Sequence, residues 1–166
     1  ALANAVALPF VEHGDMLRWK APLTSEYWTG AAWSSYSTPT WKKLTDGKPD
    51  SSIALDYTHR KIRLTYDLVS PYHMSPLVIV QQLYSNPITQ YKVTVEESAN
   101  NSTWTSRLSE RLIGNATGTS ILSMDDRADL YQRYVRITFE WLGSSGNVFN
   151  FAGLQLITFR NGDQGG

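Results

Sequence analysis

Arg133-Tyr134-Val135-Arg136-Ile137-Thr138-Phe139-Glu140 decides the fold class, because its apolar residues, Tyr134 or Val135, then Ile137 and Phe139, recur at every second position. Side chains of an extended strand point alternately to opposite faces, so this pattern reads as a strand with one face buried and one in water. Lys61-Ile62-Arg63-Leu64-Thr65-Tyr66 and Tyr91-Lys92-Val93-Thr94-Val95-Glu96 repeat it, with apolar positions at 62, 64, 66 and at 91, 93, 95. Leu77-Val78-Ile79-Val80 is continuously apolar, the pattern expected of a strand covered on both faces, and Phe149 to Phe159 reads as a last strand with Leu154 and Leu156 on one face. Between these runs lie Asp46-Gly47-Lys48-Pro49-Asp50, Ser98-Ala99-Asn100-Asn101-Ser102 and Gly143-Ser144-Ser145-Gly146-Asn147, all rich in turn formers. Only Ser123 to Gln132 suggests a short helix, with Ser123 as cap and Asp125 and Asp126 at its positive end. Strands separated by polar loops, without alternating helices, predict an all-β sandwich rather than a parallel α/β sheet.

Composition narrows the function. The 166 residues suffice for one domain with a substantial core. Fifteen basic side chains balance fifteen acidic ones, so no global field attracts nucleic acid or an anionic membrane. Without cysteine the chain has no disulfide, thiolate metal ligand or thiol nucleophile. The apolar Ala1–Val11 is shorter than the roughly 20 residues that span a bilayer and lacks a basic leader. It is expected to be an arm packed on the body or on a neighbouring subunit, and Asn161–Gly166 a flexible Gly-rich tail. Catalysis finds no support. The acids are scattered, Glu96 and Glu97 should face opposite sides of a strand, and His13, His59 and His73 lack metal-ligand spacing. Neither a Gly-x-Ser-x-Gly elbow nor a phosphate-binding glycine loop is present. Six Trp and nine Tyr form the unusual part of the composition.

The segments also come in a characteristic order. Leu44-Thr45-Asp46-Gly47-Lys48-Pro49-Asp50-Ser51 precedes Ile62–Leu68, which ends in Tyr66-Asp67-Leu68. Tyr91–Ser98, Ser102-Thr103-Trp104, Arg133-Tyr134-Val135-Arg136-Ile137 and Leu154-Gln155-Leu156 follow. Over roughly residues 40 to 158 this resembles the discoidin, or coagulation-factor type C, family of galactose-binding-like jelly rolls, which includes many carbohydrate-binding modules. The resemblance implies a jelly-roll β-sandwich over 40–160, preceded by an arm and aromatic loop over 1–39. It also implies a structural Ca2+ on the Thr-Asp-Gly turn: Asp46 and Ser51 match ligand positions, and the acid of the last strand falls on Gln155. Lys48 stands where an acid is frequent, and an amide in place of a carboxylate weakens such a site, so a plain turn is the other reading. Tyr91–Val95 is an edge-compatible strand. Trp104 is expected to plug the rim or the core, and the arginines of 133–136 to cover the rim or to pair with Asp67.

Ligands of that family usually bind loops at one end of the sandwich. Three groups of residues fit such a role. Trp28, Trp33 and Tyr36 lie in the aperiodic Glu26–Tyr36 segment and can stack on a sugar face. Tyr72 and His73 follow a strand end, with Tyr84 further on. Trp141 sits near Asn147 and Phe149. For the first group, loop packing or a subunit contact is the competing role. The expectation is a non-catalytic, extracellular or virion-borne module that binds a glycan or host-surface receptor, as part of a virion or adhesin with other virion subunits as partners. A structural protein of a phage tail or capsid is one alternative, and the carbohydrate-binding module of a secreted polysaccharide-degrading enzyme is another. Neither nucleic acid nor membrane insertion is expected.

Overall fold

Each alternating run becomes a strand whose apolar positions meet in one core. A computed structural model describes residues 14–48, 50–82, 85–124 and 131–160. Ten strands run through them: β1 (Gly14–Asp15), β2 (Thr24–Trp28), β3 (Trp33–Ser35), β4 (Ile53–Asp56), β5 (Lys61–Gln81), β6 (Gln90–Ser98), β7 (Thr105–Ile113), β8 (Gly118–Leu122), β9 (Gln132–Leu142) and β10 (Val148–Arg160). All strand pairs are antiparallel and form two layers. The first runs β3-β2-β5-β9-β6-β7 and the second has β10 between β5 and both β1 and β4, with β8 on the far side of β5.

β5 belongs to both layers. Residues 61–67 pair with β2 and β9, whereas 77–81 pair with β8 and β10. The register shifts between Asp67 and Tyr72, where Val69 adopts a left-handed φ of 72° and Pro71 lacks an amide donor. Asp67 holds this bulge. Its Oδ1 accepts the Val69 N–H at 2.8 Å, and its two oxygens take the Arg133 guanidinium at 2.7 and 2.9 Å, the pairing expected from the sequence.

Ile62, Leu64 and Tyr66 of β5, Val93 and Val95 of β6, and Val135, Ile137 and Phe139 of β9 are fully buried, together with Leu154 and Leu156 of β10. At about 25 cal/mol per Å² of apolar surface, this shared interior is the main force holding the layers together. A buried aromatic column crosses it: Trp141 stacks on Phe149 (centroids 4.3 Å apart) and on Phe139 (5.5 Å). Tyr91 meets Trp141 edge-on.

Several expectations change. Tyr91–Val95 is not at an edge, because β6 lies between β9 and β7 and it is β7 that ends the layer. In the 77–80 run only Leu77 and Ile79 are buried, while Val78 and Val80 are half-exposed on the outer face. Most of the expected 123–132 helix lies outside the described residues, and Gln132 already belongs to β9. Ala1–Val11 and Asn161–Gly166 also lie outside them. The Glu26–Tyr36 segment, aperiodic in sequence, is a hairpin in which Trp28 pairs with Trp33 and Tyr27 with Ser34, so the first layer begins at Thr24. Among the described residues no helix is long and apolar enough to cross a membrane.

Candidate functional site

Antiparallel pairing brings three connections to one end of the sandwich. Tyr27 pairs with Ile62, and Lys61 with Glu140, so the β2–β3 turn, the 57–60 turn and the β9–β10 loop all emerge together. Each is built by its own side chains. Thr29 Oγ1 accepts the Ala31 and Ala32 N–H groups at 3.2 and 3.1 Å, and Gly30 takes a φ of 101° that favours glycine. Asp56 Oδ1 accepts the Thr58 N–H at 3.0 Å and starts a single 3-10 turn, Tyr57–His59. Asn147 Oδ1 accepts the Ser144 N–H at 2.9 Å, closing the third loop.

Between them lie two adjoining hollows of about 380 Å³ each, which share Tyr57 and Thr58. One is lined by Trp28, Arg60, Lys61 and Glu140, and the other by Asp56, Ser145, Asn147 and Val148. Trp28 is 38 % exposed. Arg60 Nη1 donates to the Tyr57 hydroxyl at 2.8 Å, and its guanidinium lies 5.1 Å above that ring. The end therefore offers an indole face, a phenol, a guanidinium, an ammonium, two carboxylates and an amide, on residues that are exposed or half-exposed. These groups hydrogen-bond hydroxyls and stack on apolar sugar faces.

The residues expected from sequence are distributed unevenly. Trp28 and Trp33 meet edge-on, with centroids 5.4 Å apart. Trp33, however, turns its face to Arg63, whose guanidinium sits 4.2 Å above it and pairs with Glu26 at 2.7 Å. It borders a charged hollow on the outer sheet face instead. Tyr36 packs: it stacks on His59 at 4.2 Å and meets Tyr27 and Trp41 edge-on, beneath the hairpin. Burial, and then the Asp56 charge, raise its hydroxyl pKa.

Trp141 is corrected outright. It is fully buried, because it occupies the next inward position after Val135, Ile137 and Phe139 on β9. Tyr72 is likewise buried, inward-facing past the β5 bulge. His73 is half-buried with its ring 5.6 Å from that of Tyr131, and both residues lie at the opposite end from Trp28. Tyr84 lies outside the described residues. Asp56, Tyr57 and Arg60 were not singled out from sequence. Their only signal is a polar, aromatic run closing a short alternating segment, Ile53–Asp56.

Of the residues of the implied calcium site, Gln155 lies on the outer face of the second layer, and Asp46 and Ser51 lie in the turn that precedes β4. Gln155 shares a hollow of about 250 Å³ with Asp15, Thr45, Gly47 and Lys48. Asp46 Oδ1 accepts the Lys48 N–H at 2.9 Å, and the Ser51 N–H donates to the Lys48 carbonyl at 3.1 Å. Among the described residues no three His, Cys, Asp or Glu side chains converge on a common point. Trp104 is half-buried under the Arg136 guanidinium, 4.2 Å away.

No protein-family pattern and no curated protein matches the sequence. Solved structures do match in fold. A CBM32 module of Clostridium perfringens is 15 % identical with a TM-score of 0.61, the match covering 87 % of this chain and 99 % of that one. Chitosan-binding module 1 of a chitosanase/glucanase from Paenibacillus is 14 % identical (TM-score 0.59; 87 % and 98 % covered). The family 32 carbohydrate-binding module of Streptococcus pneumoniae EndoD is 9 % identical (TM-score 0.61; 86 % and 98 % covered). The chain therefore has the galactose-binding-like, discoidin-like β-sandwich fold.

Proposed function

We propose that this domain is a non-catalytic carbohydrate-binding module whose glycan sits at the end formed by the 28–32, 56–60 and 143–147 connections. The observation that carries the reading is the half-exposed Trp28 indole beside the Tyr57–Arg60 pair, over a shallow hollow. A pyranose has an apolar C–H face that an indole can cover, while its hydroxyl edge meets Arg60, Glu140 and, next door, Asp56 and Asn147. The fold shared with carbohydrate-binding modules supports this reading, and fold alone does not establish it.

The test is a glycan array with the parent chain, Trp28→Ala and Tyr57→Ala. The parent is expected to bind at least one glycan class, and both variants to lose it while keeping the parent's melting curve. A parent that binds no glycan sinks the proposal.

The origin of similar modules in a chitosanase/glucanase and in EndoD supports a secreted, polysaccharide-degrading setting. A second reading places the domain in a virion or adhesin that contacts a host surface and other subunits. Trp19 and Leu23, each more than half exposed and four residues apart, are the apolar side chains that such a contact would cover. A strictly monomeric mass at high concentration counts against subunit contacts.

A further inference from the structure

We propose that the cation of the Thr45–Ser51 turn is the chain's own Arg18 guanidinium, and that this turn does not take the Ca2+ that the discoidin resemblance implies. The residues present do not fit the ion. Gly47 has a φ of 74°, and a Cβ placed on it would lie 2.8 Å from Arg18 Nη1 and 2.9 Å from Cζ. The guanidinium therefore rests against the turn's backbone in the space that a side chain at position 47 would enter. A dication lodged there would meet the positive charge of Arg18 within a few ångström.

The oxygens near the turn are already engaged. Asp15 Oδ1 accepts the Leu17 and Leu156 N–H groups at 3.0 and 3.2 Å, and Oδ2 lies 3.6 Å from Arg18 Nε. That carboxylate is mostly buried, and it ties Arg18 to β10 beside Gln155. Asp46 spends an oxygen on the Lys48 N–H within its own turn. Gln155 brings no charge, and the exposed, cationic Lys48 borders the same hollow. Asp15 is thus matched by Arg18 before any ion enters, whereas calcium needs six to eight oxygens with excess negative charge.

What a metal would do mechanically, the chain does itself. The Trp19 N–H donates to the Thr45 carbonyl at 2.8 Å, and Thr45 Oγ1 donates to the Lys20 carbonyl at 2.7 Å. With Arg18 over Gly47, these bonds lash the 15–20 segment to the 45–48 turn.

Thermal melts of the whole chain in EDTA, in millimolar CaCl2 and in neither test the proposal, together with melts of Arg18→Ala and Arg18→Lys. The parent's Tm is expected to be the same in all three buffers. Arg18→Ala should lower it by roughly 2–4 °C, with Arg18→Lys, which keeps charge but not the planar fork, in between. Should Arg18→Ala not fold, the Arg18→Lys drop is the readout. A parent Tm that rises with calcium or falls with EDTA overturns the proposal, as does an unchanged Tm in both variants.

Discussion

Trp28 and Trp141 are chemically the same residue with opposite work. Trp141 closes an aromatic column and is out of reach of any ligand, whereas Trp28 keeps over a third of its surface in water beside a guanidinium and a phenol. Polar residues divide in the same way. Asp67 secures the β5 bulge, and the two Arg133 hydrogen bonds hold its carboxyl below the usual carboxylate range, aided by the Val69 N–H. A group whose folded-state pKa is lowered adds stability that is complete above the unfolded value and is lost as the pH falls through the folded one. The stability advantage of the parent over Asp67→Asn is therefore expected at about pH 7 and should shrink as the pH falls below the usual carboxylate range. Both partners are substantially exposed, so the effect is small. Urea melts across that range check it, and an advantage that grows on acidification contradicts it.

At the scale of elements, the β2–β3 hairpin is what delivers Trp28 to the candidate site. Its strands are five and three residues long, and its turn depends on Thr29, whose hydroxyl also donates to the Ala32 carbonyl at 3.0 Å. Thr29→Ala removes those bonds from an exposed loop and is expected to cost about 0.5–1.5 kcal/mol. Glycan affinity should fall several-fold as the indole loses its fixed place. Titration of one glycan ligand into parent and variant, beside their melting curves, measures both, and an unchanged affinity would remove the hairpin from the site. The hairpin also shows why part of the site was hidden in the sequence. Strands this short hold too few residues to display an alternating period, so Glu26–Tyr36 read as a loop. β9, at eleven residues, was legible, and carrying its alternation one step past Phe139 would have placed Trp141 inside. Tyr57 opens a single 3-10 turn and Arg60 follows its end, with no period at all.

At the scale of the whole molecule, among the described residues one ion pair is fully buried. Glu97 and Arg107, on the paired strands β6 and β7, are both fully buried and joined by a charge-assisted hydrogen bond from Arg107 Nη1 to Glu97 Oε2. Removing the cation alone leaves a carboxylate in a low-dielectric interior, so Arg107→Met is expected to destabilise by about 3–5 kcal/mol. The double change Glu97→Leu with Arg107→Met should recover much of that loss. Chemical denaturation of the three chains decides it, and a near-neutral single variant would show that water reaches the pair. The sequence by itself determined that the chain builds strands, that they enclose one core, and the order in which discoidin-like segments follow one another. These are local properties, because alternation, turn formers and composition are read from neighbouring residues. Only the tertiary structure decided which aromatics face water, that Trp28 meets the 57–60 turn, and that Arg18 lies on Gly47. Those pairings join residues some 30 positions apart. They are set by strand register and by a single strand, β5, that crosses between layers, and no local pattern encodes where such a crossing brings its partners.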